Sequence, residues 1–214
     1  MTMEIVKCTE EGGVWTIPSS KMEHIVSELA AGRLIVYPTD TVYGLGCDPF
    51  DETAVKRIYM AKRRPFDMAM SLAVYDLRMM EELAVLDDRA RKLVKKFMPG
   101  PLTLIVPKRP SVPDILTAST TEIGIRIPEH PVALQLIEAY GPLVTTSANV
   151  HSHSDSLTCE DAVGQLGASV SVYLDAGPVR LGRPSTIVQL TDGEMTLIRP
   201  GSISQETLEA ALNE

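Results

Sequence analysis

Residues 123–146 read IGIRIPEHPVALQLIEAYGPLVTT. An apolar run is followed by two prolines around His130, a stretch with apolar residues at helical spacing, a Gly-Pro break and a second apolar run, which reads as strand, helix, strand. The same alternation extends both ways. Toward the N-terminus, a helix is expected over 21–31, with Ser20 and Glu23 at capping-box spacing, then a strand LIVY at 34–37 stopped by Pro38. TDTVYGLG follows as loop and turn, and Asp51 caps a helix through about Ala61. A strand at 69–74, a helix capped by Asp88 through about Met98, and LTLIV after Pro99, Gly100 and Pro101 come next. Toward the C-terminus, Thr158 and Asp161 announce a short helix, SVYLD a strand, STIVQL and MTLI a hairpin around DGE, and SQETLEAAL a final helix. The expected product is an α/β fold, one twisted mixed sheet flanked by helices.

The chain has 214 residues, 44% of them hydrophobic and 22% charged, which suits one domain with a sizeable core and excludes disorder. Cys8, Cys47 and Cys159 are too few and too scattered for a disulfide scaffold or a metal knuckle. No apolar run reaches the roughly 18 residues of a membrane helix and the first residues lack a secretory pattern, so no membrane association and a cytoplasmic setting are expected.

The formal net charge of -8 argues against a general polyanion binder, yet residues 50–109 carry 13 Lys or Arg against 8 Asp or Glu. Lys56, Arg57, Lys62, Arg63 and Arg64 are the densest group. Lys62 with Arg64 can compensate phosphate charge by point contact and forked hydrogen bonds, and a solvated helix face is the alternative. Gly44 and Gly46 permit close backbone approach, either as a plain turn or with free N–H groups toward an anion, but match neither GxGxxG nor a Walker loop. Thr39, Asp40 and Thr41 can orient a small amino acid. Ser147 and Asn149 in TTSAN sit at a strand end where they can project into a crevice. Ser147 has no GxSxG setting, so it reads as a binding group and not a nucleophile. Arg126 interrupts an apolar strand, either facing outward or clamping a carboxylate. Arg183, Ser185 and Arg199 are further anion-binding options. His151, His153 and Asp155 alternate as potential ligands, but the tract suits a surface loop and no dedicated metal site is expected.

Taken together, YPTDTVYGLG, AKRRP, PGPLTLIV, IGIRIPEHP, TTSAN, DAGP, GRPSTIV and IRPG resemble, in order, the YrdC/Sua5/YciO family of threonylcarbamoyl-AMP synthases. The resemblance implies a YrdC-like domain over 15–203 with a C-terminal helical extension at 204–214 packed on it. It also implies synthesis of threonylcarbamoyl-AMP and pyrophosphate from L-threonine, bicarbonate or carbon dioxide, and ATP with Mg²⁺, for the t6A modification of tRNA completed by a partner transferase complex. By the same resemblance, Thr41, Arg126, Ser147 and Ser185 bind threonine. Lys62, Arg64, Asn149 and Arg199 bind ATP, Lys62 and Arg64 stabilising the transition state. A YciO-like protein that binds tRNA or double-stranded RNA with little or no synthase activity is the alternative. KRRPFDMAM departs from the family pattern at Met68 and Ala69, Ala73 replaces a frequent histidine, and VHSHSDS replaces an SG-containing loop. The chain ends soon after IRPG, which matches the compact form without the longer members' additional domain.

Overall fold

The computed structural model describes residues 3–191 and 193–214. Its strands are β1 (Glu4–Lys7), β2 (Thr9–Glu11), β3 (Val14–Thr16), β4 (Ile35–Tyr37), β5 (Gly44–Gly46), β6 (Ser71–Ala73), β7 (Leu102–Pro107), β8 (Glu122–Arg126), β9 (Leu143–Ser147), β10 (Val172–Asp175), β11 (Thr186–Thr191) and β12 (Glu194–Arg199). The helices are α1 (Ser19–Ala30), α2 (Glu52–Lys62), α3 (Leu77–Leu83), α4 (Asp88–Phe97), α5 (Pro131–Tyr140), α6 (Cys159–Leu166) and α7 (Gln205–Asn213). Ten strands form one mixed sheet in the order β1-β10-β4-β5-β9-β6-β8-β7-β11-β12, and β2 and β3 form a separate hairpin.

Successive strand residues point to opposite sides of a sheet, and the core follows that rule. Ile35 and Tyr37 of β4, Leu143 of β9, and Val172 and Leu174 of β10 pack in one cluster with Ile25 and Leu29 of α1 and with Val132, Leu136 and Ile137 of α5. Their neighbours Val36, Val144 and Tyr173 pack in a second cluster with residues of α2, α4, α6 and α7. The central strands are therefore covered on both sides, which is why they read as unbroken apolar runs. At roughly 1.5–3 kcal/mol for each large aliphatic side chain removed from water, Val132, Leu136 and Ile137 are enough to seat α5.

Local chemistry sets the helix starts. Asp51 accepts from the N–H groups of Thr53 (2.8 Å) and Ala54 (3.2 Å), as its sequence position predicts. Thr158 and Asp161 form the complete capping box of α6. The Ser20/Glu23 box does not form. Helix α1 starts at Ser19 behind Pro18 with no side-chain cap, because Gln135 accepts from Ile17 N–H and fixes the entry, leaving Ser20 inside the first turn. Asp87, not Asp88, caps α4 through Ala90 N–H (2.7 Å).

At one edge of the sheet β1 pairs in parallel with β10. Helix α7 packs against α4 with Leu208 and Ala211 buried. Of the DGE expected as a turn, Asp192 lies outside the described residues; β11 and β12 pair antiparallel as expected. The largest correction concerns GLG at 44–46. It is strand β5, paired with β4 on one side and β9 on the other, and not a turn with free N–H groups for an anion. Gly46 is required by packing: a Cβ there would lie 2.7 Å from Val144 O and 2.9 Å from the Tyr37 ring.

Candidate active site

The sheet order brings distant segments to one cleft of about 740 Å³, open solvent at its mouth included. Thr39 and Thr41 arrive from the turn after β4, Thr145 and Ser147 from the end of β9, Arg126 from the end of β8, and Arg199 from the end of β12. Ser71 and Thr103 stand near the starts of β6 and β7, Ser185 precedes β11, and Arg64 and Ala69 come from the loop after α2. Of the residues expected at the site, Thr41, Arg64, Arg126, Ser147, Ser185 and Arg199 line the cleft. Lys62 and Asn149 stand behind Ser147.

Arg126 is 6% exposed. It donates from Nη1 to Thr41 Oγ1 (3.1 Å) and from Nη2 to Asp40 Oδ1 (2.7 Å) and Gly100 O (3.2 Å). Asp40, completely enclosed, also accepts from Glu129 N–H (3.0 Å). This buried ion pair turns Arg126 inward and answers the question its sequence position left open. Among the described residues Asp40 Oδ2 and Arg126 Nε have no partner, so each retains capacity for one more hydrogen bond.

Arg199 wraps Ser185, donating from Nη2 to its carbonyl (2.8 Å) and to its hydroxyl (3.1 Å), and Ser185 Oγ lies 2.8 Å from Thr103 Oγ1. Arg64 donates to Ala69 O (2.7 Å). That bond uses the backbone, so it survives the departure from the family pattern at Met68 and Ala69; Met68 likewise contributes its carbonyl, to Tyr59 OH (3.0 Å). Ala73 is buried in the core beside α5, paired in register with Arg126, and does not line the cleft. Burial lowers the pKa of both Arg64 and Arg199. Three guanidinium groups thus surround a cleft that Asp40 alone neutralises by direct pairing, an arrangement suited to anions.

Lys62, only 2% exposed, projects from the end of α2 into the TTSAN turn. Its Nζ donates to Ser147 O, to Asn149 O (2.7 Å) and to Asn149 Oδ1 (3.2 Å). Burial pulls its pKa from 10.5 to about 7, the Arg64 charge adds to the fall and Asp155 opposes it. The unfolded chain keeps this proton up to about 10.5 whereas the folded chain releases it near 7, so between those values the unfolded state binds more protons and stability rises with pH. Urea denaturation of the ligand-free protein should show that rise between pH 7 and about 9, and Lys62→Met should remove it. An unchanged slope in the variant would reject the assignment.

Several site groups escaped the sequence reading. Thr103 is a buried hydroxyl inside the apolar run LTLIV, and that interruption was the available signal. Thr145 accepts from Tyr37 OH (3.0 Å), and nothing in sequence spacing joins those two residues. Outside the cleft, His130 caps α5 in a local structural role, its Nδ1 accepting from Val132 N–H (3.2 Å). Among the described residues no group of three His, Cys, Asp or Glu side chains is placed to hold a metal, His151, His153 and Asp155 included. No helix among them is long and apolar enough to cross a membrane.

A ten-stranded mixed sheet with a cationic, hydroxyl-rich cleft at its strand ends defines an α/β domain whose cleft suits small anions. The chain belongs to the Sua5/YciO/YrdC family, whose model, described as telomere recombination, matches residues 27–201. A Mycobacterium tuberculosis relative, provisionally named a threonylcarbamoyl-AMP synthase, is 40% identical over 199 residues, covering 91% of this chain and 92% of its own. The threonylcarbamoyl-AMP synthase of Pyrococcus abyssi is 36% identical over 185 residues, 86% of this chain and 54% of the longer relative. Among solved structures, P. abyssi Sua5 complexed with L-threonine superposes with a TM-score of 0.92 at 33% identity over 98% of this chain and 61% of that one. Escherichia coli YciO superposes at 0.87 with 26% identity, over 97% of this chain and all of that one.

Proposed function

We propose that this chain is an L-threonylcarbamoyladenylate synthase. The neutral threonine amine adds to carbon dioxide with loss of a proton, or to bicarbonate with loss of water, to give a carbamate; a carbamate oxygen attacks the α-phosphorus of ATP, and the bond from that phosphorus to the oxygen bridging to the β-phosphate breaks to release pyrophosphate. The observation that carries this reading is the convergence of Arg64, Arg126 and Arg199 with Ser and Thr hydroxyls from several strands and turns on one cleft. Carboxylate and phosphate oxygens need positive donors, and hydroxyls fix direction without acting as nucleophiles.

In this reading Arg126, Thr41, Ser147 and Ser185 hold threonine or its carbamate. Arg64 and Arg199 take the phosphates, while Lys62 and Asn149 approach them from behind Ser147. Phosphate beside Lys62 would restore its proton against the pull of burial. No carboxylate lines the described cleft, so Mg²⁺ would arrive on the ATP phosphates, where it supplies charge neutralisation for the departing pyrophosphate. The product would feed the t6A modification of tRNA through a partner transferase complex. A cytoplasmic setting fits the three buried free cysteines.

The RNA-binding alternative gains little from the basic segment, because several of its side chains are already engaged within the protein. Arg89 donates to Gly193 O, Arg91 pairs with Glu81, Lys92 donates to Leu212 O, and Lys96 pairs with Glu214. The test incubates the protein with MgATP, bicarbonate and threonine and follows pyrophosphate and threonylcarbamoyl-AMP by mass-resolved chromatography. Both products should depend on threonine; salt-sensitive tRNA binding with no adenylation would favour the alternative instead.

A further inference from the structure

Hydrogen-bond counting fixes the polarity of two hydroxyls in the cleft. Thr39 Oγ1 has one proton and two lone pairs. Its proton goes to Val42 O at 2.6 Å, and its lone pairs face Thr41 N–H at 3.2 Å and Thr41 Oγ1 at 3.0 Å. With the Thr39 proton committed to Val42, Thr41 is the donor in the hydroxyl pair. Thr41 Oγ1 then has no proton to offer. One of its lone pairs takes Arg126 Nη1 and the other is open to the cleft it lines.

Ser147 reaches the same state by another route. Its proton goes to Asn149 Oδ1 at 2.5 Å. The Asn149 amide is oriented independently, since Oδ1 faces Lys62 Nζ and Nδ2 donates to His153 O at 2.7 Å. Thr145 is the opposite case: it accepts from Tyr37 OH and keeps its own proton free. The cleft therefore presents two bare acceptors, Thr41 and Ser147, beside the donors Arg126 and Thr145.

We propose that Thr39 is a positioning residue that makes Thr41 an obligate hydrogen-bond acceptor, so that Thr41 and Ser147 hold the α-amino group of the amino-acid substrate. This rests on the reading of the cleft as a threonine site. A carboxylate at these two oxygens would set lone pairs against lone pairs, whereas an amino group supplies the hydrogens both lack. The carboxylate belongs on the donor side, at Arg126 and Thr145. Thr39 acts through Thr41, because every bonding position on its own oxygen is already filled.

Thr39→Val keeps the side-chain shape and removes the acceptor, which frees the Thr41 proton to turn into the cleft. Calorimetry would compare threonine with 3-hydroxybutyrate, which keeps the carboxylate and hydroxyl but lacks the amine. The wild-type protein should bind threonine at least about tenfold more tightly than 3-hydroxybutyrate, the worth of a hydrogen bond to a charged group. Thr39→Val should lose about tenfold for threonine and nothing for 3-hydroxybutyrate, and Thr39→Ser should restore the wild-type ratio. An equal loss for both ligands, or no loss, overturns the role of Thr39. Equal wild-type affinities overturn the placement of the amine. If Thr39→Val does not fold, Thr39→Cys, with a poor sulfur acceptor in similar volume, is read against the same outcomes. A wild-type protein that binds no threonine, alone or with an ATP analogue, sinks the threonine reading itself and the inference with it.

Discussion

Arg126→Met is expected to lower folding stability by about 3–5 kcal/mol and to abolish threonine-dependent adenylation. The loss of stability comes from Asp40. Its carboxylate is fully enclosed, its Oδ2 already lacks a partner, and the guanidinium is its only ion-pair partner among the described residues. Removing the cation leaves a buried charge held only by Glu129 N–H. The double variant Asp40→Asn with Arg126→Met should recover much of the stability, because a neutral amide and an apolar chain no longer carry an uncompensated charge. It should not recover activity. Urea denaturation and turnover on both variants separate the two effects, and a single variant as stable as the wild type would mean that the ion pair does not hold the site.

Lys62→Met is expected to lower kcat at least about a hundredfold, the scale of loss when reacting groups are displaced by an ångström. Lys62 donates to two carbonyl oxygens and one amide oxygen of the turn that aims Ser147. Without it that turn loses its donors, so the KM for threonine should rise together with the KM for ATP. The stability at pH 7 should change little, since the methionine also relieves the burial of an ammonium. A lysine that met only phosphate would change the KM for ATP and leave that for threonine alone, and steady-state kinetics in each substrate distinguish the two.

The alternation in IGIRIPEHPVALQLIEAYGPLVTT was enough to read β8, α5 and β9, because Ile123, Ile125, Leu143 and Val144 on the strands and Val132, Leu136 and Ile137 at helical spacing are all buried. The GLG strand was not legible. Two glycines in three residues have the composition of a turn, and the reason for them, the Tyr37 ring and the Val144 carbonyl pressing on either side, exists only after β4, β5 and β9 pair. The strand β1 is short and half polar, and its partner β10 lies more than 160 residues away. The cleft residues Thr41, Arg64, Arg126, Ser147, Ser185 and Arg199 were found because charged or hydroxyl groups interrupt apolar runs or crowd a turn. Asp40 and Thr39 were read, with Thr41, as groups that can orient a small amino acid. Their roles, charge partner of Arg126 and acceptor of the Thr41 proton, depend on contacts that no local pattern encodes.

Incubation with threonine, MgATP and carbon-13 bicarbonate tests the central claim most directly. The account predicts an adenylate heavier by one mass unit than the product from unlabelled bicarbonate, formed together with pyrophosphate and absent when threonine is omitted. A threonine-dependent release of pyrophosphate whose adenylate carries no label would identify direct activation of the amino acid, and would contradict the carbamoylation on which the assignment of this cleft depends.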